Sequence, residues 1–251
     1  MATASERLYR NIKQEIVSCV LQPGMSFSEA QMCRRYKTSR TPVREACRRL
    51  EKEGLIKIIP FRGYFVAPLT IGEFHSLHEI QLIVDTAAAA WAAKRASAEQ
   101  VRAIERLGNY EYRVGVPTSY WTFLHRNRDL HVAIARATGN EHLAEIVNDV
   151  HTRLMRFYYV VISLDKFGPE LVQEHRRVTA AIRARNPAEA RKKMAEHITN
   201  GIRRSAKLFV ASSEARFADG ISNSQAPVDS MPISAVNWDM KIETGDVRKR
   251  G

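Results

Sequence analysis

The chain has 251 residues, 45% of them apolar, and a formal net charge of +12. That apolar content excludes a wholly disordered chain, and the length suits one large domain or two ordinary ones. The basic surplus favours a polyanionic partner, nucleic acid ahead of an acidic membrane, and it is concentrated at one end: residues 1–70 carry 13 Lys/Arg against 6 Asp/Glu.

The N-terminus, MATASERLYR, has no apolar signal core, and no apolar run reaches the roughly 18 residues needed to span a bilayer. Cys19, Cys33 and Cys47 form no CxxC pair, so they read as free thiols in a reducing compartment. A soluble cytoplasmic protein without a membrane partner is expected.

Residues 1–68 read as helix, helix, helix, hairpin. Leu8, Ile12, Ile16 and Val20 follow helical spacing until Pro23-Gly24. Ser28 with Gln31 is a capping box opening a second helix, with Met32 and Tyr36 on its inner face. Thr41-Pro42 is read as N-cap and first residue of a third helix. Val43, Ala46, Cys47 and Leu50 form its buried stripe, and Gly54 ends it. Two β-rich runs, 55–59 and 64–67, flank Pro60-Phe61-Arg62-Gly63 and make a hairpin. This order predicts a winged helix-turn-helix.

Residues 69–72 are a short linker. From 73 to 213 helical periodicity dominates, with helices drawn at 73–95, 97–112, 118–138, 141–164, 168–185 and 187–212. Ser97 with Gln100 is a capping box, Asn186-Pro187 starts the last helix, and Gly139-Asn140 separates the third from the fourth. The fold class is therefore mainly α: a winged helix-turn-helix of three helices and a small β-hairpin, then an all-α six-helix bundle. Residues 214–251 turn to Ser, Asn, Asp, Gly and Pro and read as a disordered tail, in which Ile233 and Trp238 are the groups able to cover a groove.

The third helix carries Arg44, Arg48 and Arg49 outside its apolar stripe, with Arg40 just before its start. Such a helix fits the major groove, where its N-terminal side chains reach base edges and Arg pairs bidentately with guanine. Thr38, Ser39 and Thr41 suit phosphate contacts at the positive end of the helix dipole. A solvated basic face is the alternative that charge alone leaves open. The strings 38-TSRTPVREA-46 and 49-RLEKEGL-55, with Leu21-Gln22-Pro23-Gly24 upstream and Arg62-Gly63 downstream, resemble the recognition region of the GntR family. The resemblance implies base or phosphate contacts by Arg40, Thr41 and Arg44, and minor-groove contacts by Arg62 and Gly63. Ala30 stands where one relative carries an Arg after the Glu of the second helix.

Asn127 and His131 share one helix face, while His175 and His197 lie on the fifth and sixth helices of the bundle. Three imidazoles converging from three helices can hold Zn²⁺, with the Asn oxygen as a weak fourth ligand. Position alone leaves surface or core histidines as the alternative. Asn127-Arg128-Asp129-Leu130-His131, Ala137-Thr138-Gly139-Asn140, Glu174-His175 and Ala195-Glu196-His197-Ile198 resemble the FCD ligand-binding domain of the FadR-like branch of that family. Members of that group carry an Asp and three His as metal ligands. The resemblance therefore implies a divalent metal, Zn²⁺ first and Ni²⁺ or Mn²⁺ next, on Asn127, His131, His175 and His197, with Asn in place of Asp. The other five histidines, His151 among them, are read as surface or structural.

Relatives that sense carboxylates often carry Glu-x-Arg in the first bundle helix. Here the string is Glu79-Ile80-Gln81, and Asp85 stands where a Glu is usual. Gln81, with Arg153 on the fourth helix as a substitute cation, is the expected effector contact; an exposed ion-pair partner is the alternative for Arg153. The expected function is a ligand-responsive transcriptional repressor that binds a palindromic operator as a homodimer and answers to a small acidic metabolite. No enzyme is expected. The runners-up are a metal-dependent hydrolase or lyase, against which Glu174 and Glu196 point about 100° away from the adjacent histidines, and an architectural DNA-binding protein without an effector.

Overall fold

A computed structural model describes residues 3–110, 113, 116–164 and 168–218. The first unit contains α1 (Ala4–Val17), β1 (Ser26–Phe27), α2 (Glu29–Tyr36), α3 (Arg40–Lys52), β2 (Ile56–Ile59) and β3 (Gly63–Val66). Leu8, Ile12, Met32, Val43, Cys47 and Leu50 meet in its core. The sheet has the order β1-β3-β2, antiparallel throughout, with Phe27 opposite Tyr64 and Ile59 opposite Gly63. The periodicity did not show β1, since two residues are too few to alternate.

Two boundaries differ from expectation. Helix α1 stops at Val17, and Cys19 takes a left-handed φ of 56°, so Val20 swings out to solvent and Leu21 fills the core instead. Helix α3 starts at Arg40 with Ser39 as N-cap, not at Pro42 with Thr41. Pro42 then sits at the third helical position, still in the first turn, where its missing N–H breaks no intrahelical bond. Ser28 and Gln31 form the expected capping box, and Gly54 takes the expected positive φ of 69°.

The bundle consists of α4 (Ile71–Arg95), α5 (Ala98–Gly108), α6 (Pro117–Arg136), α7 (Glu141–Leu164), α8 (Gly168–Arg183) and α9 (Pro187–Ala218). Ser97, Asn140 and Asn186 each cap a following helix with a side-chain oxygen. The small face of α4, Ala88, Ala89, Ala92 and Ala93, is fully buried and lets neighbouring helices approach it. Helix α9 continues to Ala218, past the break at 213 expected from composition, because Glu214, Ala215, Arg216 and Ala218 still favour helix. Residues 219–251, with Ile233 and Trp238, lie outside the described residues.

The units are joined through α7 and α1. Val17 is buried among Tyr120, Phe123, Leu124 and Met155 of the bundle. Arg156 is buried and donates to the backbone carbonyl of Ala67 in the connection between the units. Arg153 lies against Gly54, where even a Cβ would stand 2.8 Å from its guanidinium.

Candidate functional site

The DNA-reading candidates lie at or near the protein surface. Ser39, Arg40, Thr41, Arg44, Arg48 and Arg62 are exposed, and Thr38 and Gly63 are half-buried. The Ser39 side chain makes no helix-cap hydrogen bond, so its hydroxyl is not committed to the helix. Arg44 does not float. Its Nε donates to Oε1 of Glu29 at 2.7 Å, and the same oxygen accepts from the Tyr64 hydroxyl at 3.0 Å. Glu29 therefore aligns the recognition helix with the wing strand. Arg49, by contrast, leans over α1 at the surface: it pairs with Glu6 at 2.6 Å and stacks 3.7 Å over the Tyr9 ring.

Inside the bundle, His131 on α6, His175 on α8 and His197 on α9 place one ring nitrogen each within 4.8 Å of one another, all buried. Nε2 of His131 and Nε2 of His175 have no hydrogen-bond partner. Buried polar atoms are nearly always satisfied, so these orphaned nitrogens fit an electron-pair acceptor at their centre. His197 is oriented for the same task. Its Nδ1 lies 2.9 Å from Glu174, which leaves Nε2 as the donor atom. Burial pushes all three imidazoles below the usual histidine range, His175 furthest because His197 and His131 also crowd it. They are neutral near pH 7, the form that binds a metal.

Two residues outside the expected ligand set belong to this cluster. Asp85 on α4 is 1% exposed, with Oδ2 at 2.9 Å from Nδ1 of His131 and 2.8 Å from Nε2 of His151 on α7. Burial alone would raise the Asp85 carboxyl; His151 and His131 outweigh it and hold the group well below the usual carboxylate range. Asp85, His131 and His151 make a second set of candidate ligands that shares His131 with the first. The sequence signal was the polar pair Gln81 and Asp85, four apart on the buried side of an apolar helix.

Glu174 takes a role that the sequence reading did not give it. It points away from His175, yet reaches His197 on the next helix and accepts from Arg204 twice, at 2.7 and 2.9 Å, and from Asn200 at 3.0 Å. Burial would raise it, but Arg204 and His197 hold its pKa down at about 2. A carboxylate so engaged is a structural acceptor and makes a poor general base.

A mainly apolar cavity adjoins the histidines. Gln81, Asn127, Tyr158, His197, Arg204 and Ser205 supply its polar lining, and Phe123 and Leu124 part of its apolar wall. Gln81 is buried and shares a contact of 3.3 Å with the Tyr158 hydroxyl. Arg153 is not in the lining. It faces Gly54 because α7 turns it toward the first unit, so the cation nearest the cavity is Arg204, which the sequence reading did not select.

Comparison with known proteins adds the family. Residues 4–66 match the model of bacterial regulatory proteins of the gntR family, and residues 76–200 match the FCD domain. The chain belongs to the GntR family of transcriptional regulators. Its relatives are regulators, not enzymes. The regulator is 23% identical over 195 residues to the HTH-type regulator YdhC of Bacillus subtilis, covering 77% of this chain and 87% of that one. It is 24% identical over 197 residues to the HTH-type repressor RspR of Escherichia coli, covering 77% and 85%. Among solved structures, E. coli McbR/YncC superposes with a TM-score of 0.65 at 17% identity, over 83% of this chain and all of that one. A GntR regulator from Rhodococcus gives 0.64 at 19% identity, over 81% and 98%. These structures support the winged helix-turn-helix and helical-bundle fold. No helix of the described residues is long and apolar enough to cross a membrane.

Proposed function

We propose that this regulator is a ligand-responsive repressor that binds a palindromic operator as a homodimer, holds one divalent ion on His131, His175 and His197, and responds to a small acidic metabolite. The observation that carries the reading is the buried three-histidine cluster, whose unpartnered nitrogens lie beside the cavity that His197 and Arg204 line. Zn²⁺ suits three imidazoles best, with Ni²⁺ or Mn²⁺ where waters complete an octahedron. A bound ion supplies a Lewis-acid anchor for a carboxylate. Asn127 is placed at the cavity to hold a water or the effector by its amide, and Gln81 and Tyr158 to orient the effector's polar end.

Two further features support the reading. Helix α7 carries His151 at the cluster and, within five residues, Arg153 and Arg156 at the joint with the DNA-binding unit, so a shift of α7 moves both. Helix α4 exposes Ile80, Ile83 and Trp91 at helical spacing, and neighbouring α7 exposes Ile146. An apolar stripe of this kind suits the two-fold contact of a homodimer.

The test is fluorescence anisotropy of a labelled duplex taken from the DNA flanking the gene, titrated with a panel of small di- and hydroxycarboxylates before and after chelation. Release of the duplex by one acid, lost after chelation, supports the reading. Tight binding that no acid and no chelator alters would favour the architectural alternative.

A further inference from the structure

The wing tip contains a residue that the fold itself does not explain. The Arg62 N–H donates to the Ile59 carbonyl at 3.0 Å, closing a four-residue turn with Pro60 second and Phe61 third. Phe61 has φ +62°, a conformation that favours Gly or Asn at that turn position. Among the described residues three other non-glycines have positive φ: Cys19, Lys37 and Arg185. Each of those follows a helix, α1, α2 or α8, where a left-handed residue closes the last turn. Phe61 has no helix to close. Its side chain is also fully exposed, at 110%, the highest value among the exposed large apolar residues. Backbone strain and an exposed aromatic ring thus coincide at one position with no contact in the fold to offset either.

The surroundings hold this ring outward and on the DNA side. Strand β3 is paired on both edges, and a Cβ at Gly63 would lie 2.9 Å from the Phe27 carbonyl, so the tip is fixed to the sheet. Tyr64 and Arg44 meet on the same Glu29 oxygen, which places the wing beside the N-terminal half of α3. From 54 to 72 the chain has no Asp or Glu, and its charged residues are Lys57 and Arg62. An apolar ring next to a cation, Arg62, on a strand pair without acidic residues matches a surface of anionic phosphates with apolar sugar and base faces between them.

We infer that Phe61 is an apolar wedge that enters the minor groove next to the site read by α3 and packs against deoxyribose and base-step faces, while Arg62 meets the adjoining phosphate. The inference rests on the DNA-binding reading of α3. It makes the wing a contributor to affinity through apolar contact and DNA deformation rather than through charge alone.

The experiment uses the full chain and duplexes that the unaltered protein selects from a random-sequence pool. Phe61→Asn keeps the turn geometry and removes the ring; Phe61→Trp keeps an aromatic; Arg44→Ala is the control for the recognition helix. Phe61→Asn should weaken binding about tenfold, reduce the bend seen by circularly permuted probes, and leave both the salt slope and the oligomeric state unchanged. Its thermal midpoint should hold or rise, since Asn accepts the left-handed turn. Phe61→Trp should retain affinity. Asn binding within about twofold of the unaltered protein, a salt slope lowered by about 0.9 as for a lost phosphate contact, or a changed oligomeric state would each overturn the wedge. If the unaltered protein selects no sequence and Arg44→Ala matches it, the DNA reading fails as well. If selection succeeds and only Phe61→Asn is silent, the wedge alone fails.

Discussion

The recognition face and the histidine cluster both gather polar side chains, but they place them in opposite surroundings. On α3 the Arg44 side chain is 55% exposed and held by a single carboxylate, Glu29. In the bundle Asp85, His131, His151 and His175 are almost fully buried, and Glu174 is met by His197, Asn200 and Arg204. Charges in water are cheap to display and easily exchanged for phosphate. Charges inside the bundle are tolerated only as a connected network, so the fold has little freedom to relax there. The first arrangement suits a reversible partner; the second suits a group that is bound firmly and reports by displacing helices.

The largest effect should come from breaking the buried side of this contrast. Glu174→Ala withdraws the acceptor from Arg204, Asn200 and His197 together. It should cost about 2–4 kcal/mol and lower the thermal midpoint by roughly 5–15 °C, read by calorimetry. Removing Glu29 on the exposed face by Glu29→Gln should change the midpoint far less.

Acid should separate the two regions next. His131, His175 and His197 are depressed by burial, and burial sets His78 at about 4 against an ordinary 6.5. A depressed group binds fewer protons folded than unfolded, so its stabilisation is complete above the unfolded value and lost as pH falls toward the folded one. The midpoint should therefore be flat above about pH 7 and fall between about pH 6.5 and 4.

The recognition face is broken by Arg44→Ala. It should cost about 1–3 kcal/mol on the operator and much less on mixed-sequence DNA, with no change in thermal midpoint. Equal losses on both DNAs would mean that Arg44 touches phosphate only. The smallest effect expected is a gain. Asn127→Asp adds a negative donor at the cavity and should tighten Zn²⁺ binding by a few-fold to about tenfold in calorimetric titration.

Much of the fold was legible because local signals agreed. Ser28, Ser97, Asn140 and Asn186 begin helices where capping chemistry predicts, and the stripe Val43, Ala46, Cys47 and Leu50 is buried. The convergence of His131, His175 and His197 was legible through the family resemblance, since nothing in their spacing brings three helices together. Asp85 and His151 were not, because their pairing spans 66 residues and depends on how α4 packs on α7. Arg153 misled for the same reason: the rotation of α7 about its own axis decides whether a cation faces the cavity or the joint, and it turns Arg153 toward Gly54. The exposed strain at Phe61 is visible only in backbone angles, although Pro60 before it signalled the turn.

The central claim is that the buried histidines form one metal site coupled to the ligand cavity. It is tested most directly by elemental analysis of untagged protein together with a Zn²⁺ titration of chelated protein and of His175→Ala, each followed by thermal midpoint. One divalent ion per chain, a midpoint raised by added Zn²⁺, and loss of both in His175→Ala are the expected results. Protein that carries no metal, and whose midpoint is unmoved by Zn²⁺ or Ni²⁺, would contradict the account and leave the histidines as polar walls of the cavity.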